Sequence, residues 1–151
     1  MNVTTTHNRV EVMHGVNLDM LGKRPAEHYG NLGLDELVTR VRRYAHELDL
    51  EVRFYHTNHE GEFVEHLHRL RGLTDGAVLN LGAWTHYSWA IRDALEIAAV
   101  PAVEVHLSDL SAREEWRQRS VLEGLVVESI SGKGPDGYRE ALTLLKREIP
   151  G

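Results

Sequence analysis

The sequence predicts an α/β protein whose strands run parallel. Three observations carry this. Short apolar runs recur along the chain, and the one at Ala77-Val78-Leu79 stops abruptly on Asn80. Between the runs lie segments whose apolar residues fall at helical spacing. The two patterns alternate from Arg9 to the last helix, and such alternation implies right-handed βαβ crossovers with helices on both faces of one sheet.

Taken in order, Arg9 to His14 (RVEVMH) alternates and predicts strand one. Gly15 to Gly33 is too irregular for an element and too long for an ordinary connection, which points to a functional loop. Leu34 to Leu48 carries Leu34, Leu37, Val38, Val41, Ala45 and Leu48 on one helical face. Leu50 to Tyr55 is strand two, and Gly61 to Leu70 a helix with Phe63, Val64, Leu67 and Leu70 inward. Ala77 to Asn80 is strand three. Gly82 then allows a tight turn, and Thr85 is expected to cap a helix that buries Ile91, Ala94, Leu95 and Ala98. Pro101 opens strand four, Ala102 to His106. Ala112 to Arg119 is expected as a short helix and Leu125 to Ile130 as strand five. Pro135 sits near the start of a last helix with Tyr138, Ala141, Leu142 and Leu145 on one face. Five alternating β and α units favour a flavodoxin-like three-layer sandwich, with strand order 2-1-3-4-5.

The chain of 151 residues reads as one domain, 1–151, without repeat or linker. It has no cysteine, which excludes a disulfide framework, a thiolate zinc site and a cysteine nucleophile. A net charge of -6 and the lack of a basic run argue against nucleic acid and anionic membrane as partners. No apolar stretch approaches the roughly 20 residues of a membrane helix. Met1 to Asn8 is polar and Thr-rich, without the apolar core of a signal peptide, and is expected to fray. A cytoplasmic soluble protein is the expectation.

In an open α/β sheet, ligands sit where strands end and helices begin. Asn80, Thr85 and His86 are the polar groups after strand three. Strand four, which should be apolar if covered on both faces, ends Glu104-Val105-His106. Residues two apart share a face, so Glu104 and His106 can hydrogen-bond. A carboxylate beside an imidazole fixes its tautomer and favours the protonated form, as a general acid needs; a satisfied polar pair at a sheet edge is the plainer reading. Arg113 and Arg117 are four apart, expected on one helix face, either as an anion clamp or as a solvated face paired with Glu114 and Glu115. In the first long loop, glycines bracket Arg24 and Tyr29. A phenol is a poor base at neutral pH unless a neighbouring cation makes its phenolate accessible. The alternative is a lid anchored by an aromatic ring.

Several other motifs carry no chemistry. The Gly132-to-Gly137 glycine pattern opens the last helix with no further strand after it, so it reads as a turn. His66 and His68 lie two apart on a helix and face different ways, and no HExxH occurs, so no metal site is expected. His56 and His59 are candidates only for surface or loop hydrogen bonds. No GxSxG elbow is present.

Together these residues resemble the type II 3-dehydroquinate dehydratases, the small dehydroquinases of the shikimate pathway. The resemblance runs from about Val10 to Leu145. It rests on Asn17-Leu18, Leu21-Gly22-Lys23-Arg24, Tyr29-Gly30, Asn58 to Glu62, Asn80 with Gly82-Ala83 and Thr85-His86, Ser88, Arg92-Asp93-Ala94, Val103 to Ser108 and Ala112-Arg113-Glu114. It implies that Tyr29 is the base, a phenolate, and that Arg24 is the lid arginine that activates it. It implies that Asn17 stabilises the enolate through a water, and that His106, oriented by Glu104, protonates the departing hydroxyl. Asn80, His86, Leu107, Ser108 and Arg117 match positions that hold the substrate, a cyclic polyhydroxy ketone acid. Arg113 matches a supporting arginine, and Asp93 a residue that enters from a neighbouring subunit. The family implies trimers, commonly four in a dodecamer, and neither a metal nor another cofactor.

The chain departs from the family pattern at the supports. His14-Gly15-Val16-Asn17 stands for Asn-Gly-Pro-Asn, Arg24-Pro25-Ala26 for Arg-Glu-Pro, and Asn80-Leu81-Gly82 for Asn-Pro-Gly. Trp84 and Val121 stand where the family has tyrosines. These changes motivate a rival reading, a dehydratase or lyase of the same fold acting on another cyclic hydroxyketone. A third reading is a non-catalytic flavodoxin-like binding module. It lacks support: Asn80 stands where a phospho-receiver has aspartate, and Gly15 to Gly22 lacks a flavin-phosphate loop.

Overall fold

The computed structural model describes residues 7–149, apart from Gly30 and the side chains of His28 and Tyr29. Five strands form one parallel sheet: β1 (Arg9–His14), β2 (Glu51–His56), β3 (Gly76–Asn80), β4 (Ala102–His106) and β5 (Glu128–Ser131). Their order is β2-β1-β3-β4-β5, as expected. The helices are α1 (Ala26–Tyr29), a single turn, α2 (Leu34–Glu47), α3 (Glu60–Leu73), α4 (Trp89–Ala98) and α5 (Asp136–Glu148).

Strand alternation sorts the core into two layers. Val10 and Val12 of β1, Val78 of β3, and Val103 and Val105 of β4 pack under α2 and α5, against Leu37, Val41, Tyr138, Ala141 and Leu142. Met13, Ala77, Leu79 and Ala102 point the other way, against Phe63, Leu67 and Leu70 of α3 and Ile91 and Leu95 of α4. The same parity puts Glu104 and His106 on the α3–α4 side with Ala102. It puts His14 and Asn80, which are register partners, on the α5 side.

Several local expectations are corrected. Thr85 does not cap α4; it lies inside a 3-10 segment, Gly82–His86, and Ser88 caps the helix by accepting from the Ile91 N–H at 3.2 Å. Thr85 is fully buried because its hydroxyl serves Glu104 instead. The expected helix Ala112 to Arg119 is two separate 3-10 turns, Leu110–Ala112 and Glu115–Arg117, so no α-helix joins β4 to β5. Arg113 and Arg117 therefore do not share a helix face; both instead reach Glu114, at 3.5 and 2.7 Å. The fifth strand begins at Glu128 rather than Leu125, because only Glu128 to Ser131 pair with β4. The first loop is not wholly irregular, since it holds a 3-10 turn, Leu18–Met20, and α1. Of the segment expected to fray, residues 1–6 lie outside the described residues, while Asn8 is tied down by the Glu51 N–H at 2.8 Å.

Candidate active site

The carboxyl ends of β1, β3 and β4 and the first loop enclose a small cavity. Asn17, Leu18, Leu21 and Arg24 border it from the loop, Asn80 and Gly82 from the end of β3, and His106, Leu107 and Ser108 from the end of β4. Its free volume, about 40 Å³, has room for little more than one water. A ring-sized ligand does not fit the cavity as it stands. A wider, shallower cavity of about 530 Å³ touches the other side of Glu104. The smaller one is the better candidate, because the amides, the guanidinium and the imidazole converge there.

Glu104 is completely buried, and its carboxylate collects four donors. His106 Nε2 lies 2.9 Å from Oε1, and Thr85 Oγ1 donates to the same oxygen at 3.2 Å. Ser120 Oγ lies 2.8 Å from both oxygens, and Ser129 donates to Oε2 at 3.2 Å. Burial alone would push this carboxyl up. The hydrogen bonds and charge of His106, with those of Ser120 and Ser129, hold it below the usual range instead. An ionised carboxylate only accepts, so His106 Nε2 carries a proton and Nδ1 is the nitrogen left for other partners.

Asn17 stands at φ 70, a left-handed conformation that asparagine tolerates. Its backbone N–H donates to Asn58 Oδ1 at 2.8 Å, and Asn58 Nδ2 donates to Asp19 at 3.2 Å. That bracket fixes the loop's entry into the cavity. Arg113 is tied to the site through Ser108, with Nη1 3.4 Å from its hydroxyl.

His86 does not line the cavity. Its ring is stacked 6.4 Å from that of His106, with Nδ1–H donating to the Arg119 carbonyl at 2.8 Å. Burial lowers its pKa, the Arg119 hydrogen bond opposes this, and the charges of His106 and Arg117 add to the lowering. Arg117 lies further out, over the exposed Trp116 ring at 4.1 Å. Asp93 is exposed on α4, away from the lining. The Tyr29 side chain lies outside the described residues.

The family model "Dehydroquinase class II" matches residues 8–146. A 3-dehydroquinate dehydratase of Thermotoga petrophila is 48% identical over 141 residues, covering 93% of this chain and 96% of its own. One from Syntrophotalea carbinolica is 47% identical, covering 89% and 91%. The chain belongs to the class II dehydroquinase family. Among solved structures, the type II dehydroquinase of Butyrivibrio crossotus superposes with a TM-score of 0.88 at 40% identity, covering 92% of this chain and 97% of its own. A 3-dehydroquinate dehydratase-like protein of Bifidobacterium longum gives 0.68 at 30%, covering 93% and 96%.

Against the family pattern, the altered supports have structural replacements. Leu81 adopts φ -78, within the range a proline would impose, and is fully buried. Gly82 remains necessary: it stands at φ 63, and a Cβ there would collide with the Val16 carbonyl oxygen. Trp84 is buried edge-on to Phe63 at 5.6 Å. Pro25 immediately precedes α1, a usual place for proline. His14 lies 2.9 Å from the Tyr138 hydroxyl through Nε2.

Sequence reasoning missed the collar of Thr85, Ser120 and Ser129 around Glu104. A signal was present. A carboxylate on a strand covered on both faces needs several donors, and Ser129 is the register partner of Glu104 across β4 and β5. Among the described residues no three His, Cys, Asp or Glu side chains gather as a metal site, despite ten histidines in the chain.

Proposed function

We propose that this chain dehydrates 3-dehydroquinate to 3-dehydroshikimate through an enolate. The observation that carries the reading is that Asn17, Arg24, Asn80 and His106, from separate segments, border one cavity, with His106 held by a buried carboxylate. The proton beside a ketone is weakly acidic, so elimination needs a base, a stabilised enolate and help for the leaving hydroxide. Tyr29 as phenolate takes the proton, and the electron pair passes into the carbonyl. The Asn17 amide, through a water, and the Arg24 guanidinium stabilise the resulting oxyanion. The carbon–oxygen bond then breaks as His106 delivers a proton, from Nδ1, to the departing hydroxyl, which leaves as water. Asn80, Leu107 and Ser108 hold the carboxylate and hydroxyls from the cavity wall, Arg113 braces Ser108, and His86 and Arg117, which stand outside that lining, reach the part of the substrate that extends beyond it.

The proposal includes a homo-oligomer of trimers, up to a dodecamer, in a cytoplasmic setting. Asp93 would then enter a neighbouring site. Support comes from α4, where Trp89 and Ile97 are more than half exposed on the same helical stripe as Asp93. Among the described residues no helix is long and apolar enough to cross a membrane.

The test is turnover of dehydroquinate, read as the ultraviolet absorbance of the conjugated enone. Tyr29→Phe and Arg24→Ala should nearly abolish it, and normal rates in either would refute the assigned roles. A panel of cyclic hydroxyketones separates this substrate from the rival one, and sedimentation gives the assembly.

A further inference from the structure

We propose that Tyr138 and His14 form a positioning pair that locks the side-chain amide of Asn80 in one orientation beneath the substrate site. The inference rests on the reading of Asn80 as a substrate-holding group.

His14 ends β1, Asn80 ends β3, and the two are register partners on the α5 face of the sheet. Tyr138, in the first turn of α5, fills the space against them and is fully buried. Its hydroxyl lies 2.9 Å from His14 Nε2 and 3.1 Å from Asn80 Nδ2. Neither of these two contacts belongs to the acid pair on the opposite face.

Donor accounting gives the chain a direction. Asn80 Nδ2 can only donate, so the phenol oxygen accepts from it. The single phenol proton is then free for His14 Nε2, which must be unprotonated to accept it. The order is therefore Asn80 N–H to Tyr138, then Tyr138 O–H to His14. The electrostatics agree. Burial, with the charge of His56 adding, holds His14 down to about 3, and burial pushes the Tyr138 phenol up. Both groups are neutral at working pH.

At its other end, Asn80 Oδ1 accepts from the Gly82 N–H at 3.2 Å. Flipping the amide would set N–H against N–H at Gly82. It would also turn the phenol proton to the amide oxygen, so that His14 would have to shift its own proton to Nε2 to keep a bond with the phenol. One orientation thus satisfies all four groups, and the other leaves the Gly82 N–H and the amide N–H facing it without acceptors. In the satisfied orientation one Nδ2–H is spent on Tyr138. The other is available to the cavity, so Asn80 meets a hydrogen-bond acceptor on the ligand, a hydroxyl or carboxylate oxygen.

The experiment uses the full chain with dehydroquinate. Tyr138→Phe removes only the hydroxyl, and KM should rise about tenfold while kcat changes less than threefold, the signature of lost ground-state holding. In an Asn80→Ala background the same change should cost less than twofold, because the effect runs through that amide. His14→Leu should behave like Tyr138→Phe, and His14→Gln, which keeps an acceptor, should recover most of the loss. A readout independent of turnover is the Asn80 side-chain amide in ¹⁵N spectra, whose protons should exchange faster in Tyr138→Phe. Folded Tyr138→Phe with unchanged KM and an unchanged Asn80 amide signal overturns the pairing, as does a full multiplicative loss in the double variant. If Tyr138→Phe does not fold, equal KM values for His14→Leu and His14→Gln overturn it. Wild-type protein that leaves dehydroquinate untouched overturns the functional reading, while the amide signal still decides the positioning role.

Discussion

Replacing Glu104 by glutamine isolates what its charge does, because size and shape are nearly kept. In the native protein His106 Nε2–H, Thr85, Ser120 and Ser129 all donate to this carboxylate. The amide can still accept from His106 at one position, but its NH2 forces the serines on the other side to reverse. The larger effect is electrostatic. At an effective dielectric constant of about 20, opposite charges about 4 Å apart attract by about 4 kcal/mol. A cationic His106 loses that attraction in Glu104→Gln. If it is lost wholly from the step in which His106 acts as an acid, the rate falls about 10³-fold. General acid catalysis contributes about 10²- to 10⁴-fold, so the size is consistent with the role. The assay is steady-state appearance of the enone from dehydroquinate at pH 7, with KM measured separately and thermal melts confirming a folded protein. Substrate contacts are not removed, so KM should stay within a few-fold. A folded Glu104→Gln protein with kcat within tenfold of wild type would refute the idea that the carboxylate sustains the acid.

Three further outcomes are expected. Since burial depresses the folded-state pKa of His14 to about 3, the folded chain binds fewer protons than the unfolded chain between that value and about 6.5. Its contribution is present above about 6.5 and is lost as pH falls, by up to about 1.4 kcal/mol per pH unit; urea unfolding from pH 7.5 to 4.5 should show a shallower fall in His14→Gln, and identical slopes would disprove it. Gly82→Ala should destabilise by about 2 kcal/mol or more, since it adds a left-handed alanine and a collision with Val16, and denaturant midpoints will report it. His66→Ala should separate stability from activity. Removing the imidazole 2.7 Å from buried Glu11 leaves that carboxylate, among the described residues, with only Arg53 at 3.8 Å, at a cost of about 3 kcal/mol, while turnover by the remaining folded protein stays normal.

Periodicity is a local property, and what depends on it is legible in the chain alone. The period of two gave the strand β4 from Ala102 to His106 and placed Glu104 beside His106, which the 2.9 Å contact bears out. The helical period found the buried faces of α2, α3, α4 and α5, and the alternation of the two yielded the sheet order. Element ends were less legible where two residues competed for one task. Thr85 and Ser88 both suit a cap, and the choice fell to Ser88 because Thr85 is claimed by a carboxylate on another strand.

The supports of the candidate site escaped because each is a meeting of distant residues. Ser120 and Ser129 are ordinary serines until the short passage from β4 to β5 folds them against Glu104. Tyr138 looked like one more apolar position on a helix face, and His14 like the polar end of a strand. Only the packing of α5 against β1 and β3 brings the phenol within reach of both His14 and Asn80. The pattern of a chain states which face a side chain takes, because that follows from backbone geometry one residue at a time. Which partner waits on that face depends on how separate layers close over one another, and buried polar groups are satisfied only once they have.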